Sequence, residues 1–327
     1  MHILMVTSEW PSPDHPEWVP FIVQQVEYLR RAGIEVDVFP FRGGGSPVNY
    51  ASSWRKLRAK YRLSQYDVIH AQWGQSGLVA LPSQRPLVVT FHGSDLHGTV
   101  GSGGSYSRTG NLLRSVSQFV ARRASEVIVV AERLIQYLPA DIPAHVIPGG
   151  IDFELFHPMH KSAARKRLEF QGGKFYVLFP NNPQNPIKRY QLAQKSIDLL
   201  KISYDIELFV LTSVPHAEVP LYMNACDALL ITSHHEGSPT VVKEALACDL
   251  PVVSVDVGDV RKYIAGLSGC VLCQDNKPET IANGIQRVLK MPARPKLSHA
   301  VTHLDEALVV ERIIQVYQKA ISGEKYT

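Results

Sequence analysis

Residues 228–260 read ALLITSHHEGSPTVVKEALACDLPVVSVDVGDV. Ala228 to Ile231 and Val252 to Val255 are apolar runs of strand length, and Val241, Val242, Ala245, Leu246 and Ala247 fall between them at helical spacing. The stretch is therefore a β-α-β unit. Its turn, Glu236-Gly237-Ser238-Pro239-Thr240, holds a carboxylate, a glycine, a hydroxyl residue and a proline suited to the first helical position. Unpaired amides and the positive end of a helix dipole meet there, as an anion site requires. Glu244 follows eight positions after Glu236, one turn into the helix. An ordinary surface helix with an acidic start would also begin this way. Two carboxylates beside an anion-binding helix end suit a ligand that carries both phosphate and hydroxyls, and a nucleotide sugar is such a ligand.

The spacing Glu, seven residues, Glu, with Ser233 before it and the Leu250-Pro251-Val252-Val253 and Val257-Gly258-Asp259 runs after it, resembles a known donor-site signature. That signature marks retaining nucleotide-sugar glycosyltransferases of the GT-B fold (glycosyltransferase family 4, glycosyl transferases group 1). The resemblance implies an α/β architecture of two Rossmann-like doubly wound domains facing a cleft, with a C-terminal helix crossing back to the first domain. It places Glu236 by the sugar hydroxyls, Glu244 on the ribose hydroxyls, and Gly237, Ser238, Pro239, Thr240 and Val241 around sugar and diphosphate.

Length and composition agree with two domains. The chain has 327 residues, 45% hydrophobic and 20% charged, enough for two cores. A net charge of +4 is small for this length and gives no reason to expect nucleic-acid binding. No apolar run approaches the roughly 20 residues a membrane helix needs, and the first strand is too short for a signal sequence, so the expected location is cytoplasmic. Cys270 and Cys273 form a Cys-x-x-Cys pair with no second pair to complete a zinc set. They read as two small residues on a strand and its end.

In the first half, Ile3 to Thr7 is a buried strand opening into the loop Ser8 to Pro13, and ligands of doubly wound sheets sit beyond such strand ends. A helix runs from about Phe21 to Ala32 and stops at Gly33; Ile34 to Phe39 is the second strand. The family's first loop often carries a glycine pair near the acceptor. Here that tract is Trp18-Val19-Pro20-Phe21, so Trp18, Pro20 and Phe21, together with Asp95, are the expected acceptor-side residues. The basic run Arg55, Lys56, Arg58, Lys60, Arg62 is either a solvated helix face or a contact for anionic lipid at the inner membrane face. Val68 to Ala71 and Leu87 to Phe91 read as strands, and His92-Gly93-Ser94-Asp95 resembles the family segment whose histidine approaches the donor sugar, a role carried to His92. The run from Gly98 to Gly110 holds five glycines and reads as a flap or a linker. Pro148 to Asp152, then Phe156-His157-Pro158, resembles the inter-domain crossing, with a hinge at Gly149. The expected domains are 1–155, 156–304 and a returning helix in 305–327.

In the second half, Phe175 to Phe179 restarts the strand-helix alternation. The following loop, Pro180 to Arg189, carries three prolines and three asparagines. The family draws an Arg and a Lys from this loop to hold the diphosphate. Lys188 matches the Lys, whereas Asn181 or Asn182 stands at the Arg position, leaving Arg189 as the substitute. Glu207 to Thr212 is a strand whose exit, Ser213 to His216, is placed to cup the nucleotide base.

The resemblance implies transfer of a sugar from a UDP- or GDP-linked donor to a hydroxyl of a glycan, lipid-linked or small-molecule acceptor, with retained anomeric configuration. His92, Lys188 and Glu236 are the expected catalytic residues; Lys188, Arg189, Asn182, Glu236 to Val241 and Glu244 form the donor site. The chain has no Asp-x-Asp motif, so no metal and no resident cofactor are expected. A nucleotide-sugar-binding regulatory subunit and a nucleotide-sugar epimerase of similar fold are the competing classes. A dehydrogenase is disfavoured, since no Gly-x-Gly-x-x-Gly follows the first strand.

Overall fold

The computed structural model describes residues 1–12, 18–44, 46–98 and 108–323. Pro13 of the first loop, Gly45, residues 99–107 of the glycine-rich run and 324–327 lie outside the described residues. The chain divides into two compact units. One comprises Met1–Gly150 with the terminal helix Glu306–Ser322, the other Ile151–Asp305.

The first unit is a six-stranded parallel sheet of β1 (His2–Thr7), β2 (Glu35–Pro40), β3 (Val68–Gln72), β4 (Leu87–Phe91), β5 (Glu126–Val129) and β6 (His145–Val146), in the order β2-β1-β3-β4-β5-β6. Buried continuous apolar strands such as Leu87-Val88-Val89 are what a sheet covered on both faces demands. The second unit holds β7 (Phe175–Phe179), β8 (Ile206–Val210), β9 (Ala228–Ile231), β10 (Val252–Ser254) and β11 (Val271–Leu272), also parallel, in the order β11-β10-β9-β7-β8. In each sheet the winding reverses once, between β1 and β3 and between β7 and β9. At such a point neighbouring strand-exit loops diverge and leave a crevice at the carboxyl ends. The two Rossmann-like sheets are the expected α/β architecture.

The terminal helix belongs to the first core because its apolar residues form one stripe. Val309, Val310, Ile313, Val316, Tyr317 and Ala320 are buried with Ile3, Met5, Val68 and Val88. A polar contact fixes its register: His70 on β3 has Nδ1 2.7 Å from the Tyr317 hydroxyl and Nε2 2.7 Å from Thr90 Oγ1. At the start of the helix, Gln24 Nε2 donates to Glu306 Oε2 at 2.7 Å. Gly150 lies so close that a Cβ there would meet that carboxylate oxygen at 2.2 Å. Ile151 to Leu155, expected in the first domain, lie in the second unit. The Ile151 amide donates to Leu304 O at 2.8 Å, and Ile151 and Phe156 are buried in the second core. Among the described residues no helix is long and apolar enough to cross a membrane.

Burial pushes the pKa of His70 down to about 3, so the ring is neutral and each nitrogen depends on a hydroxyl. Tyr317→Phe leaves one nitrogen unpaired in the core and is expected to lower unfolding free energy by about 1–3 kcal/mol in urea titration. An unchanged midpoint would contradict this role for the contact.

Candidate donor site and the edge of the first sheet

The β7 exit loop is shaped by its asparagines. Asn182 Oδ1 accepts from the Gln184 amide at 2.9 Å and Asn185 Oδ1 from the Ile187 amide at 3.1 Å, each a side-chain-closed turn. The loop is then tied to the β9 exit. His234 N donates to Ile187 O at 2.7 Å, and Thr232 Oγ1 to Lys188 O at 2.8 Å. Arg189 holds a left-handed backbone (φ 51°) and turns its guanidinium onto the carbonyls of Thr232 and Ser233 and onto Asn276 Oδ1. These ties present Lys188 at the switch point, where its Nζ lies 2.7 Å from Glu236 Oε1. The two side chains are 21% and 15% exposed, so each charge is largely dependent on the other.

The turn after β9 leads into the helix Thr240–Ala247, with Pro239 as its N-cap. Pro239 therefore stands one residue earlier than the expected first helical position. Pro239 makes no side-chain hydrogen bond to the helix start, so the leading amides there are left to other partners, with the helix dipole behind them. Gly258 (φ 61°) packs directly under this turn; a Cβ would meet Pro239 Cδ at 3.0 Å and Glu236 Cβ at 3.1 Å. One turn along the helix, Glu244 Oε1 lies 3.0 Å from His216 Nε2, and the His216 ring packs 5.1 Å from that of Phe156. The β8 exit is thus joined to the second carboxylate.

Three expected donor-site side chains have other partners. The Arg189 guanidinium faces backbone carbonyls because it must offset its own strained turn and join two loops. The Ser238 hydroxyl donates to Asp259 Oδ2 at 2.6 Å and accepts from Lys243 Nζ at 2.6 Å, so it points under the turn and only its amide can face a ligand. Asn182 is exposed but uses its side-chain oxygen to close its own loop.

In the first unit, Trp10, Trp18, Val19, Phe21, Ile22 and Trp73 cluster at the carboxyl edge of β1 and β3. Pro20 begins the helix Pro20–Arg31, and Val19 before it is left-handed (φ 43°). His92, at the end of β4, stands between the rings of Trp73 (5.0 Å) and Phe21 (5.3 Å). Gln72 Nε2 donates to Gln25 Oε1, so Gln72 Oε1 accepts from His92 Nε2 at 2.7 Å. That assignment puts the His92 proton on Nε2 and the lone pair on Nδ1. Burial pushes the His92 pKa down to about 3, and the ring is a neutral hydrogen-bonding group. Asp95 differs from its expected place beside an acceptor. It is fully buried, with its carboxylate accepting from the Gly93 amide at 2.9 Å and the Gly74 amide at 3.1 Å. Desolvation raises its pKa to about 6 against the lowering effect of those amides, and its work is to fix the β3 and β4 exits.

Lys243 and Gln72 were not among the expected site residues, and His216 and Asp259 stood in expected stretches, the base-cupping exit and the Val257-Gly258-Asp259 run, without a side-chain role. A signal existed for Lys243, a lysine between Val242 and Glu244 in a helix otherwise made of small and apolar residues from Val241 to Ala247. None existed for the pairing of His216 with Glu244, which are 28 residues apart in the chain.

Residues 2–155 match the family model described as Glycosyltransferase Family 4, and residues 189–302 the model described as Glycosyl transferases group 1. The chain is 28% identical over 312 residues to D-inositol 3-phosphate glycosyltransferase 1 of Catenulispora acidiphila, a match covering 79% of this chain and 73% of that protein. Among solved structures, sucrose-phosphate synthase from Thermosynechococcus elongatus aligns with a TM-score of 0.75 at 16% identity, over 99% of each chain. Anabaena HepE in complex with UDP-glucose aligns with a TM-score of 0.70 at 18% identity, over 98% of this chain and 100% of that one. At such identities the structural likeness concerns the fold.

Arg189→Ala removes a charged clamp between the two exit loops. It is expected to destabilise the chain by about 1.5–3 kcal/mol in denaturant unfolding. A loss of nucleotide affinity with unchanged stability would instead make Arg189 a direct ligand contact.

Proposed function

Because the chain belongs to the glycosyl transferases group 1, with a first half of the Glycosyltransferase Family 4 type, we propose that it moves a sugar from a UDP- or GDP-linked donor to an acceptor hydroxyl with retained anomeric configuration. The observation that carries this reading is the meeting of Lys188 and Glu236 at the second sheet's switch point, beside the uncapped start of the helix that bears Glu244. A ligand with a diphosphate, a ribose and a sugar matches that order of groups. HepE, solved with UDP-glucose, supports UDP as the first nucleotide to test.

In the proposed reaction the bond between the anomeric carbon and the diphosphate oxygen breaks while the acceptor oxygen bonds to the same face of that carbon. The proton of the acceptor hydroxyl passes to the departing diphosphate. Lys188 and the amides of Gly237, Ser238, Thr240 and Val241 stabilise the charge that develops on this leaving group, where fixed donors act most strongly. Glu236 accepts from sugar hydroxyls and keeps the Lys188 ammonium aimed; Glu244, oriented by His216, accepts from the ribose. No step needs a metal or a resident cofactor. His92, being neutral, offers a lone pair to a sugar hydroxyl rather than a charge, and Trp18 and Phe21 supply ring faces suited to a sugar or cyclitol acceptor.

The acceptor is a glycan, lipid-linked or small-molecule hydroxyl in polysaccharide or glycoconjugate synthesis, reached in the cytoplasm. Peripheral contact with an anionic membrane face is supported by the helix Pro47–Lys60, on which Arg55, Lys56 and Lys60 are exposed. Arg58 is engaged elsewhere, stacked 4.0 Å from the Trp54 ring and bonded to Val79 O and Pro82 O.

The test follows release of UDP or GDP from a panel of nucleotide sugars, with NMR reading the anomeric configuration of the product. Lys188→Ala is expected to lower turnover about 10²–10³-fold with a smaller change in KM. Unchanged turnover would remove Lys188 from the reaction, and an isomerised donor would replace transfer by epimerisation.

A further inference from the structure

Lys243 is fully buried, in the middle of the helix Thr240–Ala247. Among the described residues its one hydrogen-bond partner is the Ser238 hydroxyl, at 2.6 Å, which in turn donates to Asp259 Oδ2 at 2.6 Å. The ammonium also lies 5.3 Å from the centre of the Tyr263 ring. A buried ammonium is costly until its partners offset the lost hydration. An apolar side chain among Val242, Ala245, Leu246 and Ala247 would avoid that cost. A charge kept at such expense directly beneath an anion-type turn marks a functional position.

We propose that Lys243 is a positioning residue for the donor diphosphate: acting through the Ser238 hydroxyl on Asp259, it fixes the turn Gly237 to Thr240 and sets a positive charge under its amides. This rests on the donor-site reading above. Ser238 belongs to the turn, and Asp259 follows Gly258, on which the turn packs, so the relay joins the two segments that shape the site. A diphosphate seated on the turn favours the charged lysine, and linkage requires the charged lysine to favour the diphosphate equally.

The sign of the pH effect follows. Burial lowers the Lys243 pKa to about 8; Asp259 and Glu244 push it up, and Lys262 pushes it down. Below that value the ammonium is already charged and affinity is at its full level. As pH rises through it, binding must first restore a proton, and affinity falls. If a bound diphosphate raises the pKa by about one unit, the Kd for UDP weakens about fivefold between pH 7 and pH 9.

The experiment is calorimetric titration of the full chain with UDP from pH 7 to pH 9, on wild type, Lys243→Met and Ser238→Ala. The expected result is the alkaline weakening in wild type, a weaker and flat profile in Lys243→Met, and an alkaline limb moved to lower pH in Ser238→Ala. Wild-type binding that is flat with pH, or variants that reproduce the wild-type profile, overturn the proposal and leave the donor site standing. If Lys243→Met does not fold, the wild-type profile and Ser238→Ala decide. Wild type that binds neither UDP nor GDP overturns the donor-site reading itself, and this proposal with it.

Discussion

The helix Thr240–Ala247 begins without a side-chain cap, and its first amides must find a partner in solvent or in a ligand. The strand-exit loops of the second unit meet around that end. The β7 exit loop is knotted to the β9 exit by Thr232, His234 and Arg189 so that Lys188 arrives beside Glu236. Gly258 allows the segment after β10 to lie close under the turn, and Asp259 reaches Ser238 from there. His216 brings the β8 exit to Glu244. The proposed anion site is thus made mostly of backbone, with a few charges set around it. This arrangement suits a leaving diphosphate, whose charge needs donors already in place when it develops.

The first unit depends on a different constraint, the sharing of its core with the end of the chain. His70 spends both ring nitrogens on hydroxyls from β4 and the terminal helix, and the apolar stripe from Val309 to Ala320 completes the sheet's cover. At the opposite end of the same strands, buried polar groups hold the loops in place. Asp95 takes two amides, and Gln72 orients His92 between two aromatic rings. Both histidines are neutral for the same reason, desolvation. Neither can bring a positive charge to a reaction at neutral pH.

The elements that set the fold were readable because continuous apolar runs such as Leu87 to Phe91 and Ala228 to Ile231 can only be strands of a covered parallel sheet. The stripe of the last helix was equally plain. The helices Gly74–Ala80 and Tyr190–Leu200 were not, since small residues in the one and mixed polar residues in the other blur the period. In the second unit, residue types and spacing singled out Lys188, Glu236 and Glu244 but not how side chains divide their contacts. A hydroxyl in an anion turn reads as a ligand contact, yet Ser238 turns inward because a buried lysine and a carboxylate compete for it. An arginine after Lys188 reads as a second phosphate cation, yet its left-handed backbone places the guanidinium on carbonyls. Asp95 was assigned to an acceptor on its position in a loop, whereas amides 2 and 21 residues away in the chain hold its carboxylate in the core. These outcomes depend on long-range neighbours, which a linear pattern does not contain.

In the proposed function the second unit binds a nucleoside diphosphate sugar through Glu244 and the helix end. Thermal unfolding tests it most directly, using uridine, guanosine and adenosine diphosphates and their sugar adducts, on wild type and Glu244→Ala, with and without chelator. At about a hundred times its Kd a ligand adds roughly 2.7 kcal/mol. The expected result is a base-selective upward shift that survives chelator and is lost in the variant. No shift with any nucleotide, or an equal shift in Glu244→Ala, would contradict it.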